Sequence, residues 1–340
     1  MPAVGLDISD ASMRFVELLE THKGFVVGRF GEHPIPTGVI ESGEIKKTSE
    51  LRAVFAEMKK QYGIEYVSVS LPEEKAYLFD MKLPAMKYKE VRSSIELSLE
   101  EHIPLRADEV LFDYEILKEA ENALYVSVSA VPRSLIDSYL EAFSGSGLTP
   151  VVLEIETQSV ARAVVPHGDK SSYLIVDFGN LRTGITIVSD ETVQFTSTVP
   201  VGGWILTELV AKNLKISHEE AEKLKREKGM LASDQEQAKA AMIASVGTLR
   251  EEISRELTYW STHEDEYGKK HTPISKIYLC GGDSNLIGLV EYLASELHMQ
   301  VELANVFVNV HTLDSYVPAI SFDDSLRYAP AIGLALRQKE

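Results

Sequence analysis

The sequence predicts an α/β fold built from two similar halves that face one cleft. Two segments carry the prediction, residues 4–18 and residues 174–188. Each reads as an apolar strand that ends in aspartate, a turn of small residues and a second apolar strand. The aspartates, Asp7 and Asp177, are separated by half of the 340-residue chain. That spacing is expected when one α/β domain has been duplicated.

Predicted helices and strands alternate along the rest of the chain. Apolar residues at i, i+3, i+4 and i+7 predict a helix that Thr48 caps and Gly63 ends. Ser217 and Glu220 form a capping box for another helix, which ends at Gly229. The expected helices cover about 48–62, 88–102, 217–228 and 237–260, and a further one ends at 145 or 147. The expected strands cover 66–71, 77–83, 110–117, 124–130, 150–153 and 277–279.

The chain is acidic, with a formal net charge of −18 and a pI of about 5.0. This balance repels a phosphate backbone, so we expect no nucleic-acid partner. The single cysteine, Cys280, cannot form an internal disulfide. No segment approaches the roughly 20 apolar residues of a membrane span, and the start does not read as a signal peptide. We therefore expect a cytoplasmic protein without direct membrane insertion, held at any membrane by a partner.

Asp7 and Asp177 are candidates for organising Mg²⁺. An aspartate at the end of a buried strand can hold the ion through water, while neighbouring turn amides bind the phosphates of a nucleotide. In the second turn, Gly179 allows close approach of a phosphate, and Arg182 and Thr183 add a charged donor and a hydroxyl donor. The alternative is that each aspartate begins an ordinary β-turn. The symmetric pair favours the magnesium interpretation.

Two further groups of residues are candidates for binding a nucleoside. Gly281 and Gly282 separate a predicted strand from a helix expected to begin near Leu286, so a ligand can lie against bare backbone at the helix N-terminus. The alternative is a turn in which Asp283 or Ser284 caps the helix.

Glu222 and Lys225 share one face of the predicted helix 217–228, at spacing i, i+3. That pair is suited to hold a ribose and the edge of a base. The alternative is an exposed salt bridge.

In this order, the motifs resemble the nucleotide signature of the actin/sugar-kinase superfamily. The matching segments are phosphate loop one (5–14), a connecting helix (154–161), phosphate loop two (176–186), the adenosine loop (278–284) and a second connecting helix (329–335). Within the superfamily, the chain resembles the PilM family of type IV pilus assembly proteins over nearly its whole length. The stretches that carry this resemblance are 83–104, 112–114, 130–132, 147–148, 200–203 and 221–225, with Gly38, Ile40, Gly43 and Ile45.

The resemblance implies an actin-like (ribonuclease H-like) fold, with duplicated α/β domains around a nucleotide cleft and an inserted α+β subdomain. The implied first domain covers 1–84 and 149–190, the insert covers 85–148, and the second domain covers 191–340. Within the second domain, subdomain 2B covers about 205–270, and a final helix over 329–338 packs back near the hinge.

The resemblance also implies roles for single residues in binding ATP with Mg²⁺. Asp7 and Asp177 are associated with the ion, and no metal is ligated by histidine or cysteine. The implied phosphate-binding residues are Ser9, Asp10, Ala11, Ser12, Arg14, Gly179, Asn180, Arg182 and Thr183. The implied ribose- and adenine-binding residues are Glu222, Lys225, Gly281, Gly282, Asp283 and Ser284.

Phosphate loop one departs from the family pattern, which has glycine, small hydroxyl residues and then lysine. Ser9, Asp10 and Arg14 stand at the matching positions. Asp10 would bring a negative charge toward the phosphates, so either ATP binding is weakened or Asp10 points to solvent. Glu154 and Glu156 are the candidates for positioning an attacking water. The sequence thus predicts ATP binding with at most slow hydrolysis.

PilM-like proteins are peripheral to the cytoplasmic side of the inner membrane and bind the cytoplasmic N-terminal tail of the membrane protein PilN. The resemblance therefore implies an ATP-binding adaptor of the pilus inner-membrane complex, with a PilN-like tail as partner and self-association as a further property. Three alternatives stay open: an FtsA-like cell-division or filament protein, a degenerate scaffold that binds no nucleotide, and a sugar or small-metabolite kinase of the same fold. The kinase would need a catalytic base and a polar sugar pocket, and the sequence identifies neither.

Overall fold

The structure is a computed structural model that describes residues 3–22, 24–231, 236–264, 270–310 and 316–337. The chain divides into two compact units. Unit 1 contains Met1–Val160 and Pro330–Glu340, and unit 2 contains Ala161–Ala329.

Strands and helices alternate through both units. The strands are β1 (Val4–Ile8), β2 (Ser12–Thr21), β3 (Gly24–Pro34), β4 (Ile40–Glu41), β5 (Glu44–Ile45), β6 (Tyr66–Leu71), β7 (Tyr77–Pro84), β8 (Val110–Ala120), β9 (Ala123–Pro132), β10 (Thr149–Ile155), β11 (Ser172–Phe178), β12 (Thr183–Ser189), β13 (Thr192–Val199), β14 (Ile274–Cys280) and β15 (Val301–Leu303). The helices are α1 (Thr48–Tyr62), α2 (Tyr88–His102), α3 (Arg133–Phe143), α4 (Glu156–Val164), α5 (Gly203–Leu214), α6 (His218–Lys228), α7 (Glu236–Thr262), α8 (Leu289–Leu297), α9 (Phe322–Ser325) and α10 (Ala329–Leu336).

The main sheet of unit 1 has the strand order β10–β6–β1–β2–β3. Strands β1, β6 and β10 are parallel, whereas β2 and β3 continue the sheet antiparallel. Helices α1 and α3 share the core of this sheet, where the rings of Phe55 and Phe143 stack with centroids 4.3 Å apart. Because parallel strands end at the same edge, Asp7, Ser70 and Glu154 all lie at the carboxyl edge of this sheet.

A second sheet of unit 1, with order β7–β9–β8, is antiparallel and packs one face against α2. The buried face of α2 consists of Val91, Ile95 and Leu99. The predicted insert was 85–148, and the structure differs at both ends. Strand β7 pairs with β9 from Tyr77 onward, so the smaller sheet begins before 85. Helix α3 packs into the core of the main sheet, so it does not contribute to the smaller core.

The sheet of unit 2 has the order β13–β12–β11–β14–β15. Its strands β11, β14 and β15 are parallel, and β12 and β13 continue it antiparallel. The two main sheets therefore share one topology, which confirms the predicted duplication. The predicted domain boundary at 190 falls in the turn between β12 and β13, where Ser189 pairs with Thr192. A division at that point would cut one hydrogen-bonded sheet, and unit 2 instead begins at Ala161.

Helix ends agree with the capping signals in most cases. The Ser217 hydroxyl accepts from the Glu220 amide at 3.2 Å, which confirms the capping box of α6. Helix α1 ends at Gly63 with a left-handed φ of 66°, as predicted. The expectation that Thr48 caps α1 is wrong, because Lys47 precedes the helix and gives no side-chain cap. The predicted end of the last helix, at 338, lies outside the described residues.

Among the residues that the structure describes, no helix combines the length and the apolar composition that crossing a membrane requires.

Candidate functional site

In unit 1, Asp7 is fixed by a serine that the sequence analysis missed. Asp7 is buried at the end of β1, and the Ser70 hydroxyl donates to its Oδ1 at 2.8 Å. The same Ser70 oxygen accepts from the Ile8 amide at 3.0 Å. The carboxylate therefore has a set orientation at the sheet edge. The signal for Ser70 was its place at the end of a strand parallel to β1, which becomes visible only when the register is known.

The turn of phosphate loop one is closed by its own hydrogen bonds. The Ser9 amide donates to the Ser12 carbonyl at 2.9 Å, and the Ser12 amide donates to the Ser9 hydroxyl at 3.3 Å. The Ser9 hydroxyl also donates to the Ser12 carbonyl at 3.0 Å. The amides of two predicted phosphate-binding residues are thus engaged within the turn, and Ala11 of the same turn is exposed.

Asp10 adopts an arrangement that neither sequence alternative described. Its carboxylate accepts from the amides of Ser42 and Gly43, each at 3.0 Å. These amides belong to the turn between β4 and β5. Asp10 is therefore half-buried against a hairpin rather than directed to solvent, and its negative charge is satisfied by two backbone donors.

Arg14 lies directly across from Asp7 in the β1–β2 pairing, so both side chains are on the same face of the sheet. Its Nη2 donates to Glu32 at 2.8 Å. Its Nε is buried and has no hydrogen-bond partner in the described part of the chain. An orphan donor of this kind beside a fixed carboxylate is suited to an anionic ligand oxygen.

The two candidate catalytic glutamates differ in environment. Glu154 is buried, and its Oε1 is paired with Arg337 Nη1 at 3.0 Å. It lies beside Ser70 in the β6–β10 register. Glu156 begins α4, and its carbonyl accepts from the Ser159 hydroxyl at 2.7 Å. The Glu154 carboxylate is already engaged by Arg337, so Glu154 is poorly placed to orient an attacking water.

In unit 2, phosphate loop two and the adenosine loop meet at Asp177. Asp177 is the next-to-last residue of β11 and pairs with Cys280, the last residue of β14. The φ of Gly281 is +89°, and a Cβ on that residue would lie 2.4 Å from Asp177 Oδ1. Only glycine allows the adenosine loop to approach the carboxylate this closely. Thr183 is buried, and its hydroxyl donates to the Val201 carbonyl at 2.5 Å, so that hydroxyl holds the link between β13 and α5 against the start of β12.

Backbone hydrogen bonds join three loops of unit 2 into one site. The Gly203 amide donates to the Gly179 carbonyl at 3.1 Å, and the Trp204 amide donates to the Asn180 carbonyl at 2.8 Å. The Asp283 amide donates to the Phe178 carbonyl at 3.0 Å. The structure thus brings phosphate loop two, the adenosine loop and the start of α5 together. Asn180 is exposed and Arg182 is half-buried.

Lys225 is the centre of a buried charge cluster next to these loops. Its Nζ lies 2.7 Å from Asp283 Oδ1, 3.0 Å from Glu222 Oε2 and 3.2 Å from the Gly203 carbonyl. An ammonium has three donors, so all of them have an acceptor. Lys225 is 4% exposed. The alternative of an exposed salt bridge is therefore wrong.

Of the two acids in this cluster, Asp283 has a raised pKa and Glu222 has a lowered one. Burial raises the pKa of Asp283, against the opposing attraction of Lys225. Burial also acts to raise the pKa of Glu222, but hydrogen bonds from Thr207, Lys225 and Arg226 outweigh it and hold that pKa at about 2. Thr207, which donates to Glu222 at 2.6 Å, was missed by the sequence analysis. Thr207 lies four residues after Gly203 on the apolar helix α5, and nothing in that segment of the sequence predicts a contact with Glu222.

The expectation of a helix N-terminus directly after the adenosine loop is wrong. Helix α8 begins at Leu289 and is preceded by Gly288, so a further turn separates it from Gly281 and Gly282. The Ser284 hydroxyl donates back to the Cys280 carbonyl and closes the loop on itself. The reason is the left-handed Gly288, with φ of 86°, which stops the helix from extending toward Leu286.

Two sheets of identical topology, each with an aspartate at the end of its first strand, define a protein of the actin-like ATPase fold. Solved structures agree with this class. A chain of the PilM-PilN type IV pilus biogenesis complex is similar over 100% of this chain and 99% of that chain, with 23% identity and a TM-score of 0.82. MreB 5 of Spiroplasma citri, bound to AMPPNP, is similar over 99% of this chain and 95% of that chain, with 11% identity and a TM-score of 0.57.

The chain belongs to the family of the type IV pilus assembly protein PilM, because the family model matches residues 5–339. The resemblance seen in the sequence is thereby confirmed. The cell division protein FtsA of Enterococcus hirae is also similar, with 24% identity over 94% of this chain and 83% of that protein. The pilus family, not the FtsA-like alternative, is thus the assignment that the comparisons favour.

Proposed function

We propose that this protein is an actin-like adaptor of type IV pilus assembly, which binds the cytoplasmic N-terminal tail of a PilN-like membrane protein and binds ATP with Mg²⁺. The observation that carries the proposal is membership of the PilM family over residues 5–339. The tail would hold the protein at the cytoplasmic side of the inner membrane. Self-association stays a prediction.

The nucleotide part of the proposal is supported in each unit separately. In unit 1, the fixed carboxylate of Asp7 and the orphan Nε of Arg14 are suited to a hydrated Mg²⁺ and a phosphate oxygen. In unit 2, the adenosine loop packs against Asp177 at Gly281, so the predicted phosphate-binding and nucleoside-binding loops are adjacent. When bound, Mg²⁺ supplies charge neutralisation for the phosphates. The charge cluster around Lys225 would then contact the nucleoside through Glu222.

We propose that ATP acts as a conformational ligand and is turned over slowly at most. Glu154 is neutralised by Arg337, so hydrolysis would have to depend on Glu156 or on water alone. A ligand that binds two conformations with different affinity shifts their populations without being consumed. This role fits an adaptor better than an enzyme.

The tail part of the proposal is supported by the second sheet of unit 1. Asp80, Ser127 and Glu115 form one row across β7, β9 and β8. Since neighbouring Val126 and Val128 are buried against α2, this row lies on the opposite face of the sheet. Segments beside a membrane span on the cytoplasmic side are rich in lysine and arginine. The carboxylates of Asp80 and Glu115 are complementary to such a tail, whereas the next row on this face carries Lys82 and Lys118, so the complementarity is confined to the acidic row.

The proposal is tested by isothermal titration of the full chain with ATP and Mg²⁺, and with a synthetic peptide of the PilN-like tail. Asp177→Asn keeps the shape of the side chain and is expected to weaken ATP binding at least about tenfold, while tail binding is unchanged. The control is Asp323→Asn, an exposed acid of α9 in the same unit. Tail binding without any ATP binding would establish the degenerate scaffold. Absence of both would overturn the proposal.

A further inference from the structure

The turn between β4 and β5 contacts phosphate loop one on one side and both connections of the smaller sheet on the other. We call residues Ile40–Ile45 the relay hairpin. Its sequence belongs to the glycine–isoleucine pattern, to which neither proposed binding activity assigns a role. All of its contacts described here lie within unit 1.

On the side of loop one, the contact is the carboxylate of Asp10. It accepts from the amides of Ser42 and Gly43, both at 3.0 Å. Ser42 and Gly43 have left-handed φ values of 49° and 73°, which turn the two amides toward one acceptor. A movement of loop one on phosphate binding must therefore either carry the turn with it or break two charge-assisted hydrogen bonds.

On the other side, the hairpin touches the segment that leads into β7. A Cβ on Gly43 would lie 2.5 Å from the ring of Pro72, so the backbone packs directly on that proline. Glu44 is paired with Lys75 at 2.7 Å, and hydrogen bonds from Lys46 and Lys75 hold the pKa of Glu44 at about 2. Pro72 and Lys75 belong to the link between β6 and β7.

The hairpin also touches the helix that follows the smaller sheet. The Tyr139 hydroxyl of α3 donates to the Gly43 carbonyl at 3.3 Å, and Tyr139 is fully buried. Helix α3 is the connection by which the chain leaves β9 and returns to the main core. The segment that leads into the smaller sheet and the helix that follows it therefore both contact the same turn, at Gly43.

From this arrangement we infer that Asp10 and the relay hairpin couple occupancy of phosphate loop one to the smaller sheet, so that nucleotide and tail change each other's affinity. Asp10 is a positioning residue in this relay, because both of its carboxylate oxygens accept from amides of the hairpin. Its departure from the family pattern is then a device for communication, not a damaged phosphate site. The inference rests on the proposed function, since it requires that both ligands bind.

The test is a thermodynamic cycle, in which the tail peptide is titrated with and without saturating ATP and Mg²⁺. In the unmodified protein, ATP is expected to change the dissociation constant of the tail at least about fivefold, and the tail must change that of ATP by the same factor. In Asp10→Ala that factor is expected to fall below about twofold, and because it is a ratio of affinities within one protein, it is read independently of any change in the affinity for ATP alone. Asp10→Asn keeps one acceptor oxygen and is expected to restore part of the coupling.

Glu20→Ala removes an exposed carboxylate from β2 of the same sheet and is the matched control, with full coupling expected. Hydrogen exchange gives a second readout. ATP should change exchange over residues 40–46 and 72–78 in the unmodified protein but not in Asp10→Ala. If both ligands bind and the coupling factor is absent, or is unchanged in Asp10→Ala, the relay is wrong and the proposed function stands. If one ligand fails to bind the unmodified protein, the proposed function fails and the relay with it.

Discussion

The ammonium of Lys225 constrains the nucleoside contact that we propose in unit 2. Its three protons are directed to Asp283, Glu222 and the Gly203 carbonyl. A ribose therefore cannot take a hydrogen bond from Lys225 unless one of these bonds is released. Glu222 is the more accessible member of the cluster, because its side chain is 29% exposed. The predicted ribose contact is thus physically better assigned to Glu222, with Lys225 holding that carboxylate in place.

Replacement of Glu222 by glutamine tests the charge cluster through its pH dependence. The pKa of Glu222 is lowered from 4.5 to about 2, so its stabilising effect is present above pH 4.5 and is lost as the pH falls toward 2. Glu222→Gln is expected to lower the free energy of unfolding of unit 2 by about 2 kcal/mol at pH 7. The difference from the unmodified protein should shrink steadily between pH 4.5 and pH 3.

Denaturant titration followed by tryptophan fluorescence measures this effect selectively, because Trp204 and Trp260, the two tryptophans of the chain, are both in unit 2. Glu208→Gln, an exposed acid on α5, is the control and should stay within about 0.5 kcal/mol at every pH. A difference for Glu222→Gln that is the same at pH 7 and pH 3 would contradict the assigned pKa shift.

Single residues were predictable from the sequence where their role depends on local chain geometry. Asp7 and Asp177 end apolar strands, and Gly281 follows one, so position along the strand was sufficient to identify them. Ser70 and the Ser42–Gly43 turn were not identified. Each lies more than thirty residues from the acid it contacts, and only the pairing of β1 with β6 or the folding of the hairpin onto loop one brings them together.

The ends of helices and strands were likewise predictable where local residues set them, and were missed where long-range pairing or packing sets them. The capping box at Ser217 and the left-handed Gly63 act within one helical turn, so the ends of α6 and α1 were predictable. The start of α8 was not, because glycines at 281 and 282 signal a helix junction, whereas the helix is delayed by Gly288. The limits of the smaller sheet were also missed, since they depend on where β7 pairs and where α3 packs.

The acidic row of the smaller sheet should contribute to binding of the tail. Asp80→Asn combined with Glu115→Gln removes two charges from one face of this sheet and keeps both side-chain shapes. Loss of two ion pairs with the tail, one at the half-buried Asp80 and one at the exposed Glu115, is expected to weaken tail binding about tenfold. Titration of the tail peptide measures this change. Glu121→Gln, in the turn between β8 and β9, removes a charge away from the row and should have little effect. Equal affinity of all three proteins would exclude this face as the docking surface.

The duplicated topology is the property of the whole molecule that could be predicted most clearly from the sequence. Two similar segments half a chain apart were enough to predict it, and the identical strand orders of the two main sheets confirm it. The place where one unit passes into the other was not predictable. The break lies within helices α4 and α10, which carry no turn signal, whereas the turn at 190 lies within a sheet. Turn residues mark the ends of elements, and they do not distinguish a turn inside a sheet from a boundary between units.

The net charge of the whole chain, −18, should govern how fast a basic tail arrives. An acidic protein attracts a cationic segment over several ångströms, and added salt screens this attraction because the Debye length falls from about 10 Å at 0.1 M to about 3 Å at 1 M. The association rate constant of the tail is therefore expected to fall about tenfold over that range, whereas the dissociation rate constant changes less. Stopped-flow mixing of the full chain with a fluorescent tail peptide measures both constants. A peptide whose lysines and arginines are replaced by glutamine is the control. Its association rate constant should be the same at 0.1 M and at 1 M salt. If the association rate constant of the unmodified peptide is also the same at both salt concentrations, long-range attraction is absent. Tail recognition then depends on short-range contacts at the sheet alone.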